Sequence, residues 1–297
     1  MTHRLVLTLS CPDRRGIAHA VTGVIAGVGG NITDSAQFHD PGYGPGCGPG
    51  DASGGAGGAG RFFLRTAFEG AADRDAFEAA FAGVASEFGM AAEVHDAGHR
   101  PRTLVLVSRF GHCLNDLLHR HATGQLAMDL VGVASNHEDW RARTEAEGVP
   151  FHHLPVAKGE KAAQEARLDA LCEAAGAELI VLARYMQVLS DGFCRGRAGR
   201  IINIHHSFLP GFKGARPYHR AHARGVKLIG ATAHYVTPDL DEGPIIEQGT
   251  LRVSHAMSPE QLVAAGRDVE CQVLARAVAL HLDHRVLMNG ERTVVFG

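Results

Sequence analysis

Short apolar runs at 104–108, 128–135, 151–156, 179–183 and 201–205 alternate with segments of helical periodicity at 114–121, 137–147 and 160–175. Strands separated by helices pair side by side as a parallel sheet with helices on its faces, so this stretch is held to a doubly wound, mostly parallel, Rossmann-like α/β domain. Ligands of such sheets gather beyond the carboxyl ends of the strands. The last of these runs, IINIH, reaches that edge carrying Asn203 and His205 two residues apart, hence on one face. Turn punctuation at Pro210, Gly211 and Gly214, a helix over 217–224 and a strand over 227–236 follow. Asp241 then sits in the turn-prone DLDEGP, and a long helix over 259–281 with short strands at 285–288 and 293–296 completes the domain.

An amide, an imidazole and a carboxylate at adjacent strand ends can polarise a carbonyl, stabilise a tetrahedral oxyanion and manage the protons of an attacking water. Asn203, His205 and Asp241 are therefore the candidate catalytic groups. As a base near neutral pH, Asp241 needs burial to raise its pKa. His206 and Ser207, on the opposite alternation, read as structural groups bonding backbone at the strand exit.

The first third follows a different order: strand 4–10, helix 17–28, strands 31–39 and 61–69, helix 73–88 and strand 91–95, which is the ferredoxin-like βαββαβ arrangement. The chain thus divides into residues 1–96, a polar linker at 97–102 and a second domain over 103–297. Half of residues 41–60 are glycine, and such a tract buries too little surface to offset its ordering entropy, so it reads as a hairpin loop. A phosphate cradle is the alternative, but the tract lacks a P-loop lysine and the strand-to-helix setting.

With 29 Lys and Arg against 32 Asp and Glu, the net charge of −3 gives no general basic face for nucleic acid. Neither a spanning apolar run nor a signal peptide is present, so no membrane is expected. The six cysteines lack any C-x-x-C pair and fit reduced thiols in the cytoplasm. His219 and His222 lie three apart, as zinc ligands do, but without an H-E-x-x-H or cysteine cluster; no metal is expected.

The words IINIHHSFLP, GARPYH, GATAHYV and DEGPII resemble the folate-dependent formyltransferase family over the whole second domain, and within it the formyltetrahydrofolate deformylases. The resemblance implies hydrolysis of 10-formyltetrahydrofolate to formate and tetrahydrofolate, balancing one-carbon folate pools and supplying formate for purine synthesis, with water as acceptor and no cofactor. It also implies a folate clamp of Arg184, Tyr185, Met186, Gln187, Val188 and Leu189 with Thr237, Pro238, Asp239 and Gly243. Transfer of the formyl group to an amine is the alternative; RFGHCLNDLL after Ser108 holds a single glycine where glycinamide ribonucleotide formyltransferases carry a glycine-rich phosphate loop.

With the word SCPDRRGI, the first domain resembles an ACT module, which implies a homo-oligomer paired through these domains. It also implies an amino-acid effector, methionine or glycine, where Asp13 and Gly16 meet Gly30 and Asn31 at an interface between paired domains. Backbone N–H groups at a helix start and a glycine turn suit a carboxylate.

Overall fold

The computed structural model describes residues 2–42, 60–157, 159–207 and 217–297. The expected loop at 41–60 and the turn at Pro210, Gly211 and Gly214 fall largely outside these. The chain forms two compact units: residues Met1–His99 with Asp283–Leu287 and Val294–Gly297, and Arg100–Leu282 with Met288–Thr293.

In the first unit, β1 (His3–Pro12), α1 (Ile17–Gly27), β2 (Asn31–Asp40), β3 (Arg61–Gly70), α2 (Arg74–Phe88) and β4 (Ala91–Asp96) follow one another. The sheet order β2-β3-β1-β4 is antiparallel throughout. Asp73 caps α2 by accepting from the Ala76 N–H at 2.9 Å, and Gly89 ends it in left-handed geometry at φ 60°. Both helices cover one sheet face, where Leu5, Leu7 and Leu9 meet Ile17, Val21, Ile25, Phe68, Phe77 and Phe81.

On the other face, Phe63 packs with Leu287, Val294 and Phe296. Beside it the buried Arg65 donates to the Asp283 carbonyl at 3.0 Å and to Asp34 Oδ2 at 2.6 Å. The C-terminal strands had been expected in the second domain, but Asp283–Leu287 and Val294–Gly297 belong here, where Leu287, Val294 and Phe296 cover Phe63 on the otherwise largely polar second face of β3.

The second unit begins with β5 (Arg102–Val107), α3 (His112–Ala122), β6 (Asp129–Ser135), α4 (Arg141–Glu145), β7 (Phe151–His153), α5 (Lys161–Ala174) and β8 (Leu179–Leu182). It continues through α6 (Asp191–Arg195), β9 (Ile201–His205), α7 (Pro217–Arg224), β10 (Leu228–Tyr235), β11 (Ile245–Arg252) and α8 (Pro259–Leu282). A terminal hairpin of β12 (Val286–Asn289) and β13 (Arg292–Val295) closes the chain. α6 and β11 were not anticipated. The strand expected over 151–156 stops at His153, two residues before Pro155, which has no N–H for a ladder.

The sheet order is β11-β10-β9-β8-β5-β6-β7, parallel from β9 to β7, with β10 antiparallel to both β9 and β11. Strand order reverses between β5 and β8, so the crevice for a ligand opens at the carboxyl ends of β5, β8 and β9. Among the described residues no helix is long and apolar enough to cross a membrane.

Candidate active site

A cavity of about 790 Å³ lies at those strand ends, lined by Phe110 and His112 after β5, Arg184 to Leu189 after β8, Asn203 to His206 at the end of β9, and Thr237 to Asp241 after β10. The segment after β8 is pinned to β5: the Ser108 N–H donates to the Arg184 carbonyl at 3.2 Å, and Ser108 Oγ accepts from the Met186 N–H at 3.0 Å. Tyr185 is turned into the core, where its hydroxyl accepts from Gln164 Nε2 at 2.9 Å. Met186 and Val188 are more than half exposed and form an apolar edge. Gly243, expected in the folate clamp, is not among the residues lining this cavity, and a Cβ there would stand 1.8 Å from the Tyr235 carbonyl oxygen.

Asn203, His205 and Asp241 come together, joined by a residue the sequence reading did not single out. His234 lies opposite Asn203 in the β9–β10 register and donates from Nδ1 to the Tyr235 carbonyl at 2.8 Å. Burial lowers its pKa, so the ring stays neutral and Nε2 is an acceptor. The Asn203 amide therefore directs an N–H to His234 Nε2 at 3.2 Å, which fixes its orientation and leaves a second N–H for the cavity.

His205 Nδ1 stands 3.3 Å from Asp241 Oδ1, and His234 Nε2 is 3.8 Å from the same oxygen. The hydrogen bond from His205 holds the Asp241 carboxyl below its usual range, outweighing the opposing effect of burial. The raised pKa that Asp241 would need to act as the base is thus not found, because the carboxylate faces imidazoles. His205 is 6% exposed, and its Nε2 is buried without a hydrogen-bond partner among the described residues, an arrangement that is costly unless a substrate completes it.

Arg184 and Asp241 both adopt positive φ, 65° and 58°. Such strain costs on the order of 1–3 kcal/mol per residue and concentrates at sites where side-chain placement matters.

Behind this group lies a buried carboxylate, Glu270 on α8, 1% exposed. Its Oε1 accepts from the Tyr218 hydroxyl and its Oε2 from His112 Nε2, each at 2.7 Å, and Arg184 Nε is 3.4 Å away. Burial alone would raise its pKa, but the hydrogen bond from His112 and the charge of Arg184 hold it below normal. Although His112, Cys113 and Glu270 bring three ligand types within 4.8 Å, Glu270 is already saturated beside a guanidinium. His219 and His222 are both exposed and join no such cluster among the described residues.

His206 is not a strand-exit anchor. Its Nδ1 receives Arg184 Nη1 at 2.5 Å, and its ring stacks on His205 with centroids 5.1 Å apart. Burial, with the adjacent Arg184 charge, pushes its pKa down to about 4.

The expected effector residues are not brought together within one chain. Gly16 precedes α1 and Gly30 follows it, and eleven residues of helix span roughly 16 Å. Asp13 instead pairs with His39 at 2.8 Å, and the Gly30 N–H donates to the Ile25 carbonyl.

Residues 101–278 match the family described as formyl transferase. The chain is 49% identical over 295 residues to a formyltetrahydrofolate deformylase of Corynebacterium sp. (strain P-1), covering 98% of each. It is 44% identical to that of Bacillus subtilis (strain 168), covering 98% of this chain and 93% of the relative. The crystal structure of formyltetrahydrofolate deformylase from Burkholderia mallei matches with a TM-score of 0.88 at 50% identity, over 99% of this chain and all of the other. A glycinamide ribonucleotide transformylase from Symbiobacterium toebii matches at 30% identity with a TM-score of 0.64, covering 67% of this chain and 96% of its own.

Proposed function

Because the chain belongs to the formyl transferase family, in its formyltetrahydrofolate deformylase branch, it hydrolyses 10-formyltetrahydrofolate to formate and tetrahydrofolate, and we propose that Asn203, His205 and Asp241 carry out the reaction. The observation that carries this assignment is the buried Nε2 of His205, without a partner among the described residues, beside an ionised Asp241. With Nδ1–H turned to the Asp241 carboxylate, the Nδ1–H tautomer of His205 has a lone pair at Nε2. It takes a proton from the water as the water oxygen bonds to the formyl carbon, and the carbonyl electrons move to the formyl oxygen. The free Asn203 N–H stabilises that oxyanion, while Asp241 stabilises the imidazolium. When the C–N10 bond breaks, His205 Nε2–H passes its proton to N10.

In this reading the pterin ring occupies the slot between the Arg184–Leu189 segment and the Thr237–Asp241 loop, supported by the apolar edge of Met186 and Val188. Incubation with 10-formyltetrahydrofolate alone is the test: formate release without an added acceptor supports hydrolysis, acceptor dependence supports transfer, and no turnover in either case defeats both.

The first unit serves as an ACT-type regulatory domain that pairs with a second copy and binds methionine or glycine. The βαββαβ order and the separation of Gly16 from Gly30 in one chain support a site built from two copies. Calorimetry of the full-length protein with each amino acid, alongside formate release, tests it; absence of binding or of any change in rate removes the regulatory role. The unbonded cysteines 11, 113, 172, 194 and 271 support action in the cytoplasm, where the formate released would supply purine synthesis.

A further inference from the structure

We propose that His206 is a further catalytic residue, a neutral imidazole whose Nε2–H donates to the formyl oxygen as it becomes an oxyanion, completing with Asn203 a pair of donors. This rests on the hydrolysis assigned above. Arg184 cannot give up its proton and has no lone pair, so the 2.5 Å contact from its Nη1 makes His206 Nδ1 the acceptor. A neutral ring that accepts at Nδ1 must carry its hydrogen at Nε2, which fixes the tautomer. The groups facing His206 are Arg184, His205, Glu270 and Asp241, and with burial the net effect is to keep the ring unprotonated.

His206 lines the cavity beside Asn203 and His205, and among the described residues no partner for Nε2 is found. Its Nε2 is not among the buried polar atoms left without a partner, whereas His205 Nε2 is. Two stacked imidazoles thus present different faces to one reacting centre: His205 offers a lone pair, His206 an N–H. A neutral donor suits the role because it stabilises developing charge without competing with His205 for the proton of the water.

The test is kinetic and spectroscopic. His206→Leu should lower kcat on the order of a hundredfold while leaving tetrahydrofolate affinity within about twofold, and His206→Gln, which keeps an N–H, should recover part of that loss. A Leu variant with near-normal kcat defeats the proposal, and the continued formate release would leave the assigned hydrolysis standing. Independently of folding in any variant, 15N spectra of the intact protein with labelled histidines, His206 being identified by its absence in His206→Gln, should show protonation at Nε2 alone from pH 6 to pH 8. An imidazolium or an Nδ1–H tautomer at neutral pH overturns it.

Discussion

His205 Nδ1 meets Asp241 Oδ1 at 3.3 Å, and the carboxylate stays ionised below the usual range because of that contact. Asp241→Asn keeps the shape of the side chain but removes the charge facing the imidazolium. Its kcat should fall by about 10²- to 10⁴-fold with little change in KM. A steady-state comparison with the parent decides this, and near-normal kcat would mean that His205 works without its carboxylate.

Asn203→Ala removes the amide that His234 orients. A loss in kcat on the order of 10²- to 10³-fold is expected, typical of a single oxyanion donor. Combined with Asp241→Asn, the two effects should sum to less than their separate free energies, since both act on one tetrahedral intermediate. Full additivity in the double-variant rates would place them on independent steps.

The pKa of His206 implies acid-sensitive stability. The folded ring binds its proton only near pH 4, whereas the unfolded side chain binds it near 6.5, so the unfolded state holds more protons between these values. Stability is complete above pH 6.5 and declines as pH falls towards 4, by at most roughly 3 kcal/mol from this group. Urea titrations at stepped pH should show the slope in the parent and a shallower one in His206→Gln. An unchanged slope would assign the acid sensitivity to other groups.

Gly243 sits where a Cβ would strike the Tyr235 carbonyl oxygen. Gly243→Ala must therefore shift the turn that carries Asp241. A drop in Tm and at least a tenfold loss in kcat are expected, because small displacements of a catalytic group are expensive. Thermal melts and turnover measured together check this, and an unchanged kcat would show that the Asp241 loop tolerates the shift.

The parts of this site legible in the sequence share one cause: they lie on one short element or follow it directly. The alternation in IINIH placed Asn203 and His205 on one face, and the turn residues around Asp241 marked its loop. His112 and Glu270 were invisible because their hydrogen bond joins positions 158 residues apart, and nothing in the local pattern of either helix announces a partner. β11 was missed because IIEQGTLR mixes polar residues and glycine into the strand at the end of the sheet. The pKa of Asp241 was not legible either: the imidazole that outweighs the effect of burial arrives from a separate strand.

The burial of Phe63 against Leu287, Val294 and Phe296 has a consequence for biosynthesis. A ribosome delivers β3 more than two hundred residues before the segments that cover it. Throughout that interval Phe63 on the nascent N-terminal unit lacks its cover, so final cooperativity arrives only once residues 287–296 have emerged, and surveillance factors that recognise exposed apolar side chains have their longest opportunity there. Nascent chains arrested before Leu287 should accordingly be cut by protease within β3, and released chains should not; equal resistance in both would show that the sheet closes without its C-terminal cover.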